Sequence, residues 1–255
     1  MKLDKEKIGV IFILIISAIS VSLVFLHDPI AQDQNYHLFH DQRMFFGIPN
    51  FFNVTSNLLF LFAGIWGIQW ITKSTDDKFK QKIKLSYFTL FLGVSLVAIG
   101  SGYYHLWPSD ETLIWDRLPM TIAFMALFSI IIGEFISIRV GQSLLFPLLI
   151  FGFISVVYWY YTEKQGNGDL RLYVLVQFLP MLLIPIILLF FKPSFNLYSG
   201  YWLLLSAYLL AKVLEKFDSD VFNVLPLLSG HSLKHIVAAC GVLLLMKTYK
   251  HRVLT

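Results

Sequence analysis

The feature that most constrains this chain is a series of apolar stretches, each near the roughly 20 residues that a helix needs to cross a bilayer core. They run Ile8–Leu26, Phe51–Ile71, Leu85–Leu106, Leu118–Ile138, Leu144–Tyr161, Leu172–Phe191, Leu197–Leu214 and about Leu228–Tyr249. Inside lipid every backbone polar group must be satisfied within the structure, so stretches of this length fold as helices. No ten-residue alternating pattern suggests a β-barrel. The expectation is an all-α polytopic membrane bundle of eight helices. Composition agrees: 57% of the 255 residues are hydrophobic and 14% charged, against about 25% charged in soluble domains. A soluble enzyme, a disordered tail and a disulfide-built secreted domain are excluded. The net charge of +4 is spread without a dense basic block, so nucleic acid is not an expected partner.

The first apolar run follows Lys2, Lys5 and Lys7, as a signal peptide would. It exceeds the usual 7–15 residues and ends in Phe25-Leu26-His27, with no small-residue cleavage site. It reads as an uncleaved helix. With the N-terminus placed in the cytoplasm, 13 of the 20 Lys and Arg residues fall on that side, five of them between Lys73 and Lys84. The positive-inside rule then puts both termini in the cytoplasm. The expected organisation is a stub and extra helix over residues 1–26, an outer loop over 27–50 and a seven-helix membrane domain over 51–255. The outer loop, with Asp28, Asp33, His37, His40, Asp41 and Arg43, reads as solvated. Cys240, the single cysteine, is expected to be a small buried side chain.

Ionisable residues within spans are costly and mark sites. Three segments carry them at one depth: Gly100-Ser101-Gly102-Tyr103-Tyr104-His105, Trp115-Asp116-Arg117-Leu118-Pro119, and Ser229-Gly230-His231-Ser232-Leu233-Lys234-His235. Ser101 and His105 are four apart, as are His231 and His235, so each pair shares a helix face. Asp116 is joined to His105 by a short loop and must lie at similar depth. Singly, His105 reads as an interfacial histidine, Asp116-Arg117 as a capping or salt-bridged pair and Ser101 as interhelical glue. Together they converge at the outer ends of three helices.

Three histidines with an open fourth position describe a catalytic zinc site. Cys240 lies five residues past His235, about 140° round the helix, and is a poor fourth ligand. Zinc activates water and polarises a carbonyl, which favours amide or ester hydrolysis. Asp116 is the expected base or orienter, and Ser101 the expected partner of the water or of a developing oxyanion. Elsewhere, Asn53, Ser56 and Asn57 read as interhelical hydrogen-bonding residues, and Glu134 as interfacial. Lys212, Glu215 and Asp218 read as an outer polar rim, and Tyr104, Trp107 and Trp115 as an aromatic belt. A transporter would need polar groups continuing inward, where the helices read as almost entirely apolar.

These motifs, with Phe52-Asn53-Val54-Thr55-Ser56-Asn57-Leu58 and Trp115-Asp116-Arg117-Leu118-Pro119-Met120, resemble the alkaline ceramidase family. That family belongs to a superfamily of seven-helix membrane hydrolases that includes the progestin and adiponectin receptors. The resemblance runs from about Asn35 to Lys250. It implies a seven-helix bundle with intramembrane zinc on His105, His231 and His235, with Asp116 and Ser101 as partners of the water. The implied substrate is ceramide or a ceramide-like membrane lipid, cleaved to a sphingoid base and a fatty acid. The first helix is additional to the family pattern. The outer loop lacks the dense acidic cluster through which eukaryotic relatives bind calcium. Asp33, Asn35, Asp41 and Asn50 are the residues left for such a site, and calcium is not carried over. The segments Asn35–Asp41 and Gly47–Asn50 look like bacterial members. The alternative expectation is a lipid receptor with a structural zinc and no turnover.

Overall fold

The computed structural model describes residues 4–74 and 78–255. Lys2, one of the lysines used to orient the chain, lies outside them. Helices run α1 Lys5–Leu26, α2 Phe51–Thr55, α3 Leu58–Lys73, α4 Lys78–Lys82, α5 Lys84–Leu106, α6 Asp110–Phe135, α7 Ile138–Lys164, α8 Arg171–Phe190, α9 Ser199–Lys216, α10 Asp218–Val224 and α11 Gly230–His251. Among the described residues there is no strand, and the chain is an all-α, multi-pass bundle. Seven helical stretches are long and apolar enough to cross a membrane, with α2 and α3 counted as the single stretch Phe51–Lys73. Of the eight expected spans, α9 falls short of that standard, because Lys212, Glu215 and Lys216 crowd its last two turns.

The other departures have local causes. The fourth helix begins at Asp110, eight residues before the expected start, because Ser109 caps it reciprocally with Thr112 and Asp110 and Glu111 favour its N-terminal dipole. The second span is divided at Ser56 and Asn57, which lie between α2 and α3. Asn50, ahead of α2, is left-handed (φ 49°), a conformation that asparagine tolerates better than most residues.

Helices α5 and α6 form the centre. They pack on each other, α3 lies on α5, α7 and α8 lie on α6, and α11 is held between α9 and α3. Close approach is bought by small residues: a side chain at Gly64 of α3 would overlap Ser95 and the Phe91 carbonyl of α5. Helix α1 packs on α8 and is otherwise largely exposed, with Phe12 against Phe190. Cys240 is exposed on the outside of the bundle rather than buried.

At the end of the bundle where α6 and α11 finish, the helices are not wholly apolar. Glu134 is buried, not interfacial: Arg252 donates to both of its oxygens (2.9 and 2.6 Å), Tyr201 donates at 2.8 Å, and Tyr87 donates as well. The Arg252 guanidinium also lies 4.1 Å from the Tyr249 ring centroid and 4.2 Å from that of Phe195. Buried charges persist only when paired and hydrogen-bonded, and this network is paired internally. It ties the segment after α11 to α6.

Removing one partner of such a pair strands the other. Arg252→Met is expected to lower unfolding stability by about 3–5 kcal/mol, and the double variant Glu134→Leu/Arg252→Met to regain much of it. Denaturant unfolding in detergent checks both.

Candidate metal centre and lipid cavity

The site is built where α5 ends and α2, α6 and α11 begin. Ser229 caps α11 by accepting from the Ser232 N–H (3.2 Å), which starts the helix so that His231 and His235 share one face in its first turns. His105 comes from the last turn of α5. His105 Nε2 and His231 Nε2 lie 2.7 Å apart, and the three imidazoles each offer a nitrogen within 4.8 Å of the others. Tetrahedral zinc with bonds of 2.0–2.1 Å would set its nitrogens about 3.3 Å apart, within that range. All three rings are buried. Among the described residues this is the one group of three histidines, cysteines or carboxylates close enough to share a metal ion.

The outer nitrogens fix the rings. His105 Nδ1–H donates to the Ser101 carbonyl (2.6 Å), which can only accept, so its Nε2 presents a lone pair to the cluster. His235 Nδ1 lies 2.9 Å from Ser56 Oγ, which itself donates to the Asn53 carbonyl. The His231 backbone N–H donates to Asp218 (2.6 Å), which fixes the start of α11 rather than the ring. Ring partners such as the Ser101 carbonyl and the Ser56 hydroxyl orient metal-ligating histidines and set their tautomer. The donor set therefore fits a divalent ion with a preference for nitrogen.

The junction between α2 and α3 supplies part of this shell. The backbone stays helical through the junction, with the Ser56 N–H on the Phe52 carbonyl (3.0 Å) and the Asn57 N–H on that of Val54 (3.3 Å), and both side chains reach His235. Asn50 Nδ2 donates to the His105 carbonyl (2.8 Å), and Asn53 accepts from Ser232 (2.7 Å). The asparagines expected to serve only as interhelical glue thus support the histidine cluster. Their spacing along one helix face could have signalled this, but no periodicity names their partner.

Asp116 and Ser101 come together through backbone geometry. Pro119 has no N–H to give the Trp115 carbonyl. That carbonyl instead lies against Gly100, where an added methyl group would overlap it. The contact draws the start of α6 onto α5 and sets Asp116 beside the Ser101 hydroxyl. Both are buried and both line a cavity of about 370 Å³ that also reaches His235 and Asn57. Its deeper wall is apolar, with Phe60, Val94, Val97, Phe124, Leu204 and Val242, the composition expected of a small-molecule or lipid site.

The outer loop is solvated only in part: Asp28, Asp33 and His40 are exposed, but other residues turn inward. Phe39 is buried, stacked on His105 (centroids 4.7 Å apart) and tilted on His231 (4.8 Å), so it roofs the cluster. Gln32 and Asp41 are buried too. Asp41 accepts from the Arg43 N–H, Nε and Nη2 (3.2, 2.8 and 2.7 Å), and Asp33 accepts from the Asn35 N–H. Tyr104 is fully buried and bonded to His37 (3.0 Å), whereas Trp107 and Trp115 are exposed as a belt requires. The expected polar rim is partly interior. Glu215 lines the cavity, paired with Lys212 and Lys234 at 2.6 Å each, and Asp218 serves His231. Burial and the neighbouring Glu215 push the Tyr36 phenol well above its ordinary pKa, so it stays a donor to that carboxylate.

Fold and site together define a multi-pass helical membrane protein with a buried trio of imidazoles, one of which, His235, lines a largely apolar cavity. The family profile described as Ceramidase matches residues 41–254, and the chain belongs to the ceramidase family. Membership places it among hydrolases of the ceramide amide bond. No curated protein matches closely enough to serve as a named relative.

The α5–α6 contact gives a paired test. Gly100→Ala is expected to cost about 1–3 kcal/mol through overpacking. Gly102→Ala, two residues on and facing open space, is expected to cost no more than a few tenths, since it replaces a helical glycine with a better helix former. Unfolding midpoints of the two variants in detergent separate them.

Proposed function

We propose that the protein is a zinc-dependent intramembrane amidase, cleaving ceramide or a ceramide-like lipid into a sphingoid base and a fatty acid. The observation that carries this reading is the convergence of His105, His231 and His235 beside a cavity that His235 lines together with Asp116 and Ser101. His105, His231 and His235 would hold the metal through ring nitrogens whose opposite sides are already engaged or buried. A bound zinc ion supplies Lewis-acid polarisation of the scissile carbonyl and lowers the pKa of a water at the site.

The chain's own residues do the rest. Asp116, as general base, takes a proton from the attacking water and returns it to the amine nitrogen as the C–N bond breaks. The Ser101 hydroxyl donates to the oxygen on which negative charge develops. Asn57 is among the residues lining the cavity, and its buried Oδ1 has no partner while its Nδ2 donates to the Asn53 carbonyl (2.7 Å). An amide N–H satisfies that acceptor and an ester oxygen does not, which favours an amide substrate. Phe39 shields the histidine cluster from bulk water. The distribution of lysine and arginine supports both termini in the cytoplasm and the site on the outer side of the membrane. The first helix, within residues 1–26, is an addition to a seven-helix membrane domain over residues 51–255, with the outer loop over 27–50 between them.

Metal analysis of the purified protein is expected to give one zinc per chain, lost in His231→Ala and His235→Ala. Asp116→Asn is expected to keep the zinc and lose about 10²–10⁴-fold in turnover, read by mass spectrometry of a lipid extract incubated with each protein. Zinc retained after both histidine substitutions would defeat the ligand assignment. A wild-type protein that binds lipid and never releases product would instead be a receptor with a structural metal.

A further inference from the structure

Of the two buried arginines among the described residues, Arg252 has its carboxylate and Arg117 has none. No ion pair within 4.0 Å joins Arg117 to an acidic group among the described residues. Its Nη2 donates to the neutral Gln32 side chain (2.5 Å), and its plane lies 4.0 Å from the Trp159 ring centroid and 4.8 Å from that of Tyr173. Nη1 is buried and unpartnered. The two aromatic faces offset part of the desolvation of the cation. They leave an N–H donor unmatched and the charge with no hydrogen-bonded counterion, only the neighbouring Asp116 at longer range, in a low-dielectric setting where an incompletely compensated charge is expensive.

The location gives that charge a use. Arg117 lines the same cavity as Asp116 and His235, next to Leu170 and Tyr173. The other cations on the cavity wall, Lys212 and Lys234, are already shared on Glu215. We propose that Arg117 is an anion-binding subsite of the lipid cavity, its free Nη1 taking an oxygen of a carboxylate or an acidic headgroup on a chain-bearing lipid. A released fatty acid and a lipid with a phosphate or sulfonate head present the same chemistry to it, a charge-assisted hydrogen bond. The inference rests on the cavity being a lipid site, as proposed above, and not on zinc or hydrolysis.

Binding of three twelve-carbon probes, laurate, dodecyl phosphate and dodecanol, to the purified full-length protein in a non-ionic detergent tests this by calorimetry. The expected result is that laurate, dodecyl phosphate or both bind about tenfold tighter than dodecanol, as one hydrogen bond to a charged group would give. Preference for laurate alone identifies the fatty-acid carboxylate as the ligand, and preference for the phosphate alone an acidic headgroup. Arg117→Gln is expected to bring the anionic probes to the level of dodecanol, with dodecanol binding unchanged. Arg117→Lys keeps a charge for folding but not Nη1, and is expected to reduce the preference severalfold. A wild-type protein that does not prefer the anions, or an Arg117→Lys protein with the preference intact, overturns the proposal. So does a preference abolished in His235→Ala yet kept in Arg117→Gln, which would put the anion on the histidine cluster. Because binding is read without turnover, a protein that lacks zinc or activity leaves the result standing.

Discussion

To share one metal ion, three imidazoles packed inside a membrane bundle must each present a lone pair toward a common point and give the opposite side to a partner. That requirement organises the rest of this end of the molecule. The Ser101 carbonyl takes the proton of His105, Ser56 stands at the outer nitrogen of His235, and Asp218 holds the first turn of α11 by the His231 amide. Most of the supporting groups sit where regular structure starts or ends. Ser56 lies at the α2–α3 junction, Asp218 opens the short helix α10, and the left-handed Asn50 brings its amide to the His105 carbonyl. Regular helices supply the walls and the Ser101 carbonyl, and their ends supply the rest of the polar shell.

Much of this was legible in the sequence, because hydrophobic length and i, i+4 spacing are one-dimensional signals. The spans, the pairing of His231 with His235, and the depth shared by Ser101, His105 and Asp116 all follow from counting residues. What could not be counted was which loop residue turns inward. Phe39 lies in a run rich in polar residues, and nothing in its neighbours says that its ring caps two imidazoles. Likewise a glutamate near a helix end is ordinarily interfacial. Glu134 is buried only because Arg252, 118 positions along, comes back to it. Pairing across such a separation leaves no local trace.

The α9 helix shows the opposite failure, where composition misled about depth. Its charged end, taken as a solvated rim, puts Glu215 against the cavity between two lysines and a tyrosine hydroxyl. The compensation is local and nearly complete, unlike that of Arg117, whose neighbours are aromatic rings and a neutral amide. Two basic groups on one wall thus differ in character: one set is neutralised in advance, the other waits with a donor unused.

Helix α11 is anchored at both extremities, by Asp218 and Asn53 near its start and by the Glu134–Arg252 pair just beyond its end. A sliding motion of one residue along the bundle axis would carry His231 and His235 about 1.5 Å, most of the length of a coordination bond. Two tethers some 20 residues apart resist that piston stroke from either direction, and the rod that bears two of the three imidazoles is held in register.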